Sequence, residues 1–163
     1  MQTFLPFKDF TLSAKALDNK RLNKQILEGY QILNVLGNPD PRAGWRNHPA
    51  VKMWKGHEHA LYGYIANMVV EAKIRGIKTE NNELNLVSLY MRQSKDWGKE
   101  MPKWYSDDAV MAKVVTTHKA NLYRKDPFYY ANFVDAVANE DNEPCCERCN
   151  YYWVTHKEEA YAV

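Results

Sequence analysis

A chain of 163 residues, 45% apolar and 13% aromatic, is long enough for one domain with a real hydrophobic core. The formal charge of +2 conceals a split, because residues 1–135 carry +6 and residues 136–163 carry −4, a mildly basic body that admits a phosphate-bearing partner without the strongly basic footprint of many nucleic-acid domains. No run of about 18 apolar residues is available to span a bilayer, and Pro6, Lys8 and Asp9 interrupt the apolar stretch that a signal peptide needs, so the expectation is a cytoplasmic monomer with no membrane contact.

Residues 1–10 alternate apolar and polar types around Pro6 and read as an extended arm, pinned to the body by Phe4, Leu5, Phe7 and Phe10. Thr11 or Ser13 can cap a helix, and from Ala14 to Leu36 the apolar positions Leu17, Leu22, Ile26, Tyr30 and Leu33 recur at three to five residues, which predicts a long amphipathic helix with a break near Asp18-Asn19. Gly37-Asn38-Pro39-Asp40-Pro41 stops it. A central helix is expected from Pro49 to about Arg75, with Trp54, Leu61, Tyr64, Ile65, Met68, Val69 and Ala72 inward and Gly76 as its stop. Shorter helices follow over Glu83–Met91 and from Asp107-Asp108 to Arg124-Lys125, where the acidic start and basic end suit the helix dipole. A last helical piece spans Phe128–Val137. No strand pair with a hairpin turn is evident, so the expected class is all-α: a helical bundle with an N-terminal arm over residues 1–138, then an acidic tail over 139–163.

Three places carry side chains that a core alone does not require. Around the predicted start of the central helix, Trp45-Arg46-Asn47-His48-Pro49 combines an aromatic, a cation, an amide and an imidazole with a helix start, where unpaired backbone donors attract anions. Trp54 and Val51 belong to the core, and Arg46, Asn47 and His48 are expected to face a site. On the first long helix, Arg21, Lys24, Gln25 and Glu28 share a face, with Asp18 one turn earlier. Cations for phosphates and a carboxylate for a developing positive charge are what cleavage of a glycosyl bond needs, with no metal. Near the end of the fourth helix, Arg124-Lys125 precede Phe128-Tyr129-Tyr130, and such an interleaving of cations with flat rings suits a protein that unstacks a duplex. His57 and His59 are two apart and cannot share a metal from one helix face.

All three cysteines lie at 145, 146 and 149, which is no disulfide framework. Cys146 and Cys149 with His156 form the one spacing that resembles a zinc knuckle, but it is single and flanked by glutamates, so reduced thiols and no metal or other cofactor are expected. Nucleophile-elbow, phosphate-loop and zincin signatures are absent.

The Leu17-Asp18-x-x-Arg21-Leu22-x-Lys24-Gln25 helix, the Trp45-x-Asn47-His48-Pro49-Ala50-Val51-x-Met53-Trp54 block and the Gln2-Thr3-Phe4-Leu5-Pro6 arm together resemble the pyrimidine-dimer DNA glycosylases of bacteria and phages, over roughly residues 1–135. The resemblance implies a helical, metal-free DNA glycosylase with abasic-site lyase activity on double-stranded DNA. Its nucleophile would be the N-terminal α-amine, a group whose ordinary pKa near 8 leaves a neutral fraction at neutral pH. That amine belongs to Met1, or to Gln2 if Met1 is removed, which the bulk of Gln2 opposes. The catalytic acid implied is Glu28 or Asp18, with Glu28 preferred as one turn beyond Gln25, and His48 completes the catalytic set. DNA contacts fall to Arg21, Lys24, Gln25, Trp45, Arg46, Asn47, Arg124, Lys125, Tyr129 and Tyr130. The rival is a non-catalytic nucleic-acid-binding protein that keeps the basic faces.

Overall fold

The computed structural model describes residues 1–140 and 150–155, and over them the chain is helical throughout with no strand. The predicted break falls where the sequence placed it, dividing the first helix into α1 (Phe10–Ala16) and α2 (Asn19–Leu36). Asp18 makes the division. Its backbone is extended, and its carboxylate accepts the Arg21 N–H, the capping bond that starts a new helix. The opposite side of the break is held from far away: the Arg75 guanidinium donates to the carbonyls of Ala14, Lys15 and Leu17, at 3.3, 2.9 and 2.6 Å. These carbonyls lie at a helix end, where the intrahelical bonds run out; the Ala14 carbonyl also accepts the Leu17 N–H.

The central helix differs from expectation. Pro49 does sit at the first helical position, capped by the His48 imidazole, but α3 (Pro49–Lys52) is a single turn, and α4 (Glu58–Ile74) begins only after a turn over residues 53–57. Gly56 is left-handed there, with φ 80°. A side-chain carbon on Gly98 would lie 1.7 Å from the Gly56 carbonyl oxygen, so the turn and the 98 loop touch backbone to backbone. Glu58 staples them, accepting the N–H of both Gly56 and Gly98. The break lets Trp54 turn inward, fully buried, where its indole N–H donates to Thr3 Oγ1 at 3.0 Å.

Helices α2 and α4 form the main packing pair, and they approach closely because Gly29 meets Ile65 with no room for a β-carbon, which would lie 2.5 Å from it. Leu22, Ile26, Ile32 and Leu33 from α2 and Leu61, Ile65 and Met68 from α4 are fully buried. The remaining helices are α5 (Glu80–Gln93), α6 (Lys103–Ser106), α7 (Asp108–Lys125) and α8 (Val134–Glu140), the last preceded by a 3-10 turn at Ala131–Phe133. The predicted helical piece thus starts later than Phe128, because residues 127–130 form a turn. Among the described residues no helix is long and apolar enough to cross a membrane.

The arm and residues 150–155 both contribute to the core. Phe4 and Leu5 are buried, as expected, while Phe7 and Phe10 are half-buried, and Phe10 opens α1 instead of belonging to the arm. Residues 150–155, which the sequence reading assigns to the tail, pack on the body: Tyr152, Trp153 and Val154 are buried, and the Tyr152 N–H donates to Thr117 Oγ1 on α7. Cys145, Cys146, Cys149 and His156 lie outside the described residues.

Candidate active site

An extended arm buried among helices has no ladder partner, so its backbone groups must be satisfied by side chains. Three helices supply them. Gln25 Oε1 on α2 accepts the Phe4 N–H at 2.8 Å, Tyr64 on α4 donates to the Phe4 carbonyl at 2.8 Å, and His118 Nδ1 on α7 accepts the Leu5 N–H at 2.8 Å. Burial drives the tyrosine pKa well above its ordinary value, with the Glu28 charge acting the same way, so Tyr64 stays a neutral donor. Burial also pushes His118 down to about 3, so it stays a neutral acceptor. These bonds fix where the chain begins.

The consequence is the placement of the Met1 amine, 3.8 Å from Glu28 Oε1. Glu28 is 8% exposed, and its other oxygen accepts from Gln25 Nε2 at 3.2 Å, so the amide that holds the arm also orients the carboxylate. Lys24 Nζ lies 3.7 Å from Glu28 Oε1, a Coulombic contact. Around this pair opens a cleft of about 410 Å³ whose walls include Lys20, Arg21, Lys24 and Lys125. Four cations flank one carboxylate and one amine, the balance expected where a polyanion is held.

Asp18, the other candidate acid, is engaged in the fold. It caps α2, pairs with Arg21 at 2.6 Å and accepts from the Tyr130 hydroxyl at 2.6 Å. Partial burial works to raise its carboxyl, but the hydrogen bonds from Tyr130 and Arg21 outweigh it and hold the pKa below the ordinary value. Gln25 and Tyr130, both expected at the DNA, are each 1% exposed. Gln25 lies in the cleft floor with its amide committed to the arm and Glu28, and Tyr130 spends its hydroxyl on Asp18. Tyr129 is half-exposed and donates to the Leu17 carbonyl, which leaves Phe128, 96% exposed, as the bare ring of that turn.

The Trp45–His48 stretch is divided. Val51 and Trp54 are core, as read. His48 Nδ1 accepts the Ala50 N–H, and its pKa is lowered by burial and then by the positive chain terminus, against the opposing pull of Glu28. The imidazole is therefore within electrostatic reach of the amine and the carboxylate. Arg46 and Asn47 instead line a second cleft with Lys52 and Lys55, which shares no lining residue with the first. The Arg46 guanidinium donates to the Asn38 carbonyl. With α3 only one turn long, its N-terminus carries little dipole, so the anion site expected there is not formed by the helix.

Tyr151, which no sequence motif singles out, lines the cleft beside Met1 and Glu28. Burial raises its phenol to about 12, with the Arg124 charge pulling the other way, so Arg124 also borders this region. Nothing local in the sequence marked it, since its place depends on the 150–155 segment folding back. Among the described residues no group of histidines, cysteines and carboxylates is arranged to hold a metal.

Residues 1–84, which contain the arm, Glu28, three of the four cleft cations and His48, match the family model of the pyrimidine dimer DNA glycosylases. The chain belongs to that family. No curated protein and no solved structure matches it. The family match ends before Lys125 and Tyr151, so this glycosylase-family chain builds one wall of its cleft from residues beyond the matched segment.

Proposed function

We propose that the protein is a DNA glycosylase with abasic-site lyase activity on duplex DNA carrying pyrimidine dimers, working through the Met1 amine. The observation that carries this reading is the amine 3.8 Å from Glu28 Oε1 at the bottom of a cation-lined cleft. The amine nitrogen adds to the sugar C1′ as the C1′–N bond to the pyrimidine breaks, and the bonding pair leaves with the base, which takes up a proton. Glu28 stabilises positive charge on the sugar while this happens. The amine then loses its protons as the sugar ring oxygen departs as a hydroxyl, giving a C1′=N imine. Loss of a C2′ proton expels the 3′ phosphate by β-elimination. Glu28 serves as the proton acceptor, Lys20, Arg21, Lys24 and Lys125 hold the flanking phosphates, and neutral His48 borders the sugar.

Borohydride added during reaction with dimer-containing or abasic duplex should reduce the imine and leave a covalent protein–DNA adduct, with mass spectrometry placing the modification on the first residue. Acetylating the amine should abolish the adduct and leave DNA binding. Glu28→Gln should lower the single-turnover rate by about 10²–10⁴-fold, the usual range for a group moving protons in the transition state. Salt-sensitive binding with neither adduct nor base release from the unmodified protein would overturn the reading in favour of a non-catalytic DNA-binding protein.

A further inference from the structure

Trp45 stands outside the core. Its side chain is 61% exposed, and it has a φ of 70°, the left-handed region that a bulky residue enters only at a steric cost. The loop that carries it is braced: the His48 N–H donates to the Trp45 carbonyl at 2.9 Å, and the Ala43 N–H to the Asp40 carbonyl at 3.0 Å. The largest apolar side chain in the chemical repertoire is thus held out in water by a loop that is itself fixed.

Its surroundings connect it to the site. The indole contacts the His48 ring at 5.5 Å, and His48 feels the Met1 amine and Glu28. The next residue in the chain, Arg46, lines the second cleft with Lys52 and Lys55. Trp45 thus touches a ring that feels the amine of the first cleft and is the chain neighbour of a residue lining the second.

The geometry points to Trp45 as a stacking wedge, whose indole takes the face of a nucleobase unstacked as the duplex opens at the lesion. Every base has a π-face, and an indole preset in the open orientation offers it a partner without reordering the loop. This rests on the glycosylase reading for the identity of the nucleic acid.

The test compares the full-length protein with Trp45→Ala and Trp45→Phe on one thymine-dimer oligonucleotide, single-stranded or in a duplex carrying 2-aminopurine opposite the dimer. The unmodified protein and Trp45→Phe should raise 2-aminopurine fluorescence, and Trp45→Ala should not. The alanine variant should cut the duplex about ten- to a hundredfold more slowly, the size of one lost base–aromatic stack, while its rate on the single strand changes less than threefold. A thermal melt unchanged in Trp45→Ala confirms that the fold is intact. An alanine variant that opens and cuts the duplex as well as the parent, or that loses both substrates equally, overturns the wedge. If the parent cuts neither strand, the glycosylase reading fails while the fluorescence response and its dependence on Trp45 still decide this one.

Discussion

At the scale of single residues, His118 and Gln25 hold the first residues of the chain in place through the backbone of Leu5 and Phe4. His118 must stay neutral to accept the Leu5 N–H, and burial holds its folded pKa at about 3 against about 6.5 for a free imidazole. The unfolded chain therefore binds the proton first as pH falls. The stabilisation is complete above about pH 6.5 and is lost progressively below it, at up to about 1.4 kcal/mol per pH unit. Urea midpoints taken from pH 7.5 down to 4.5 should fall accordingly, and His118→Gln should flatten that slope; an equal slope in both would assign the acid sensitivity elsewhere. Gln25 was read from helix spacing as a DNA contact, and periodicity did put it on the face with Glu28. What spacing could not give was depth, since the arm that covers Gln25 comes from a segment 21 residues away.

At the scale of elements, the apolar periodicity located the helices well, but the breaks between them depended on partners distant in sequence. Asp18 announced one break because its cap is local. The other half of that junction is Arg75, whose guanidinium reaches three carbonyls of the α1 end and Asn19 Oδ1 while pairing with Glu71 at 2.8 Å. Removing it leaves those acceptors without their charged donor in a half-buried setting. Arg75→Ala should cost about 2–4 kcal/mol in denaturant unfolding, and Arg75→Lys should recover only a fraction, because an ammonium cannot span the fork. A loss below about 0.5 kcal/mol would mean that water satisfies the α1 end unaided. The break between α3 and α4 was illegible for a related reason. Pro49 to Arg75 reads as one helix, and only the backbone contact between Gly56 and Gly98 shows why it is two.

At the scale of the whole molecule, charge and composition describe a basic body and an acidic end as separate parts, but residues 150–155 of that end pack on the body. Trp153 is 9% exposed and contacts both His48 and Tyr151, the latter lining the cleft beside the first residue. Trp153→Ala should cost about 3 kcal/mol, as truncating a buried aromatic does. It should also slow catalysis beyond what the stability loss explains, measured by single-turnover rates at a temperature where the variant is fully folded. A variant as stable as the parent would show that the segment is only loosely attached. No composition count could have revealed this, because the acidic residues before Asn150 mask a short aromatic run that is apolar enough to be buried.

The enclosed position of the chain's first residue has a consequence for how the molecule can be handled and made. The Met1 side chain is 8% exposed, and its nitrogen faces Glu28 from inside the cleft. Anything attached ahead of it, whether a formyl group left from initiation or an affinity peptide, must run outward through the channel that the lysines line. On the proposed function, a protein bearing such an extension should give less borohydride-trapped adduct with abasic duplex than one whose first amine is free.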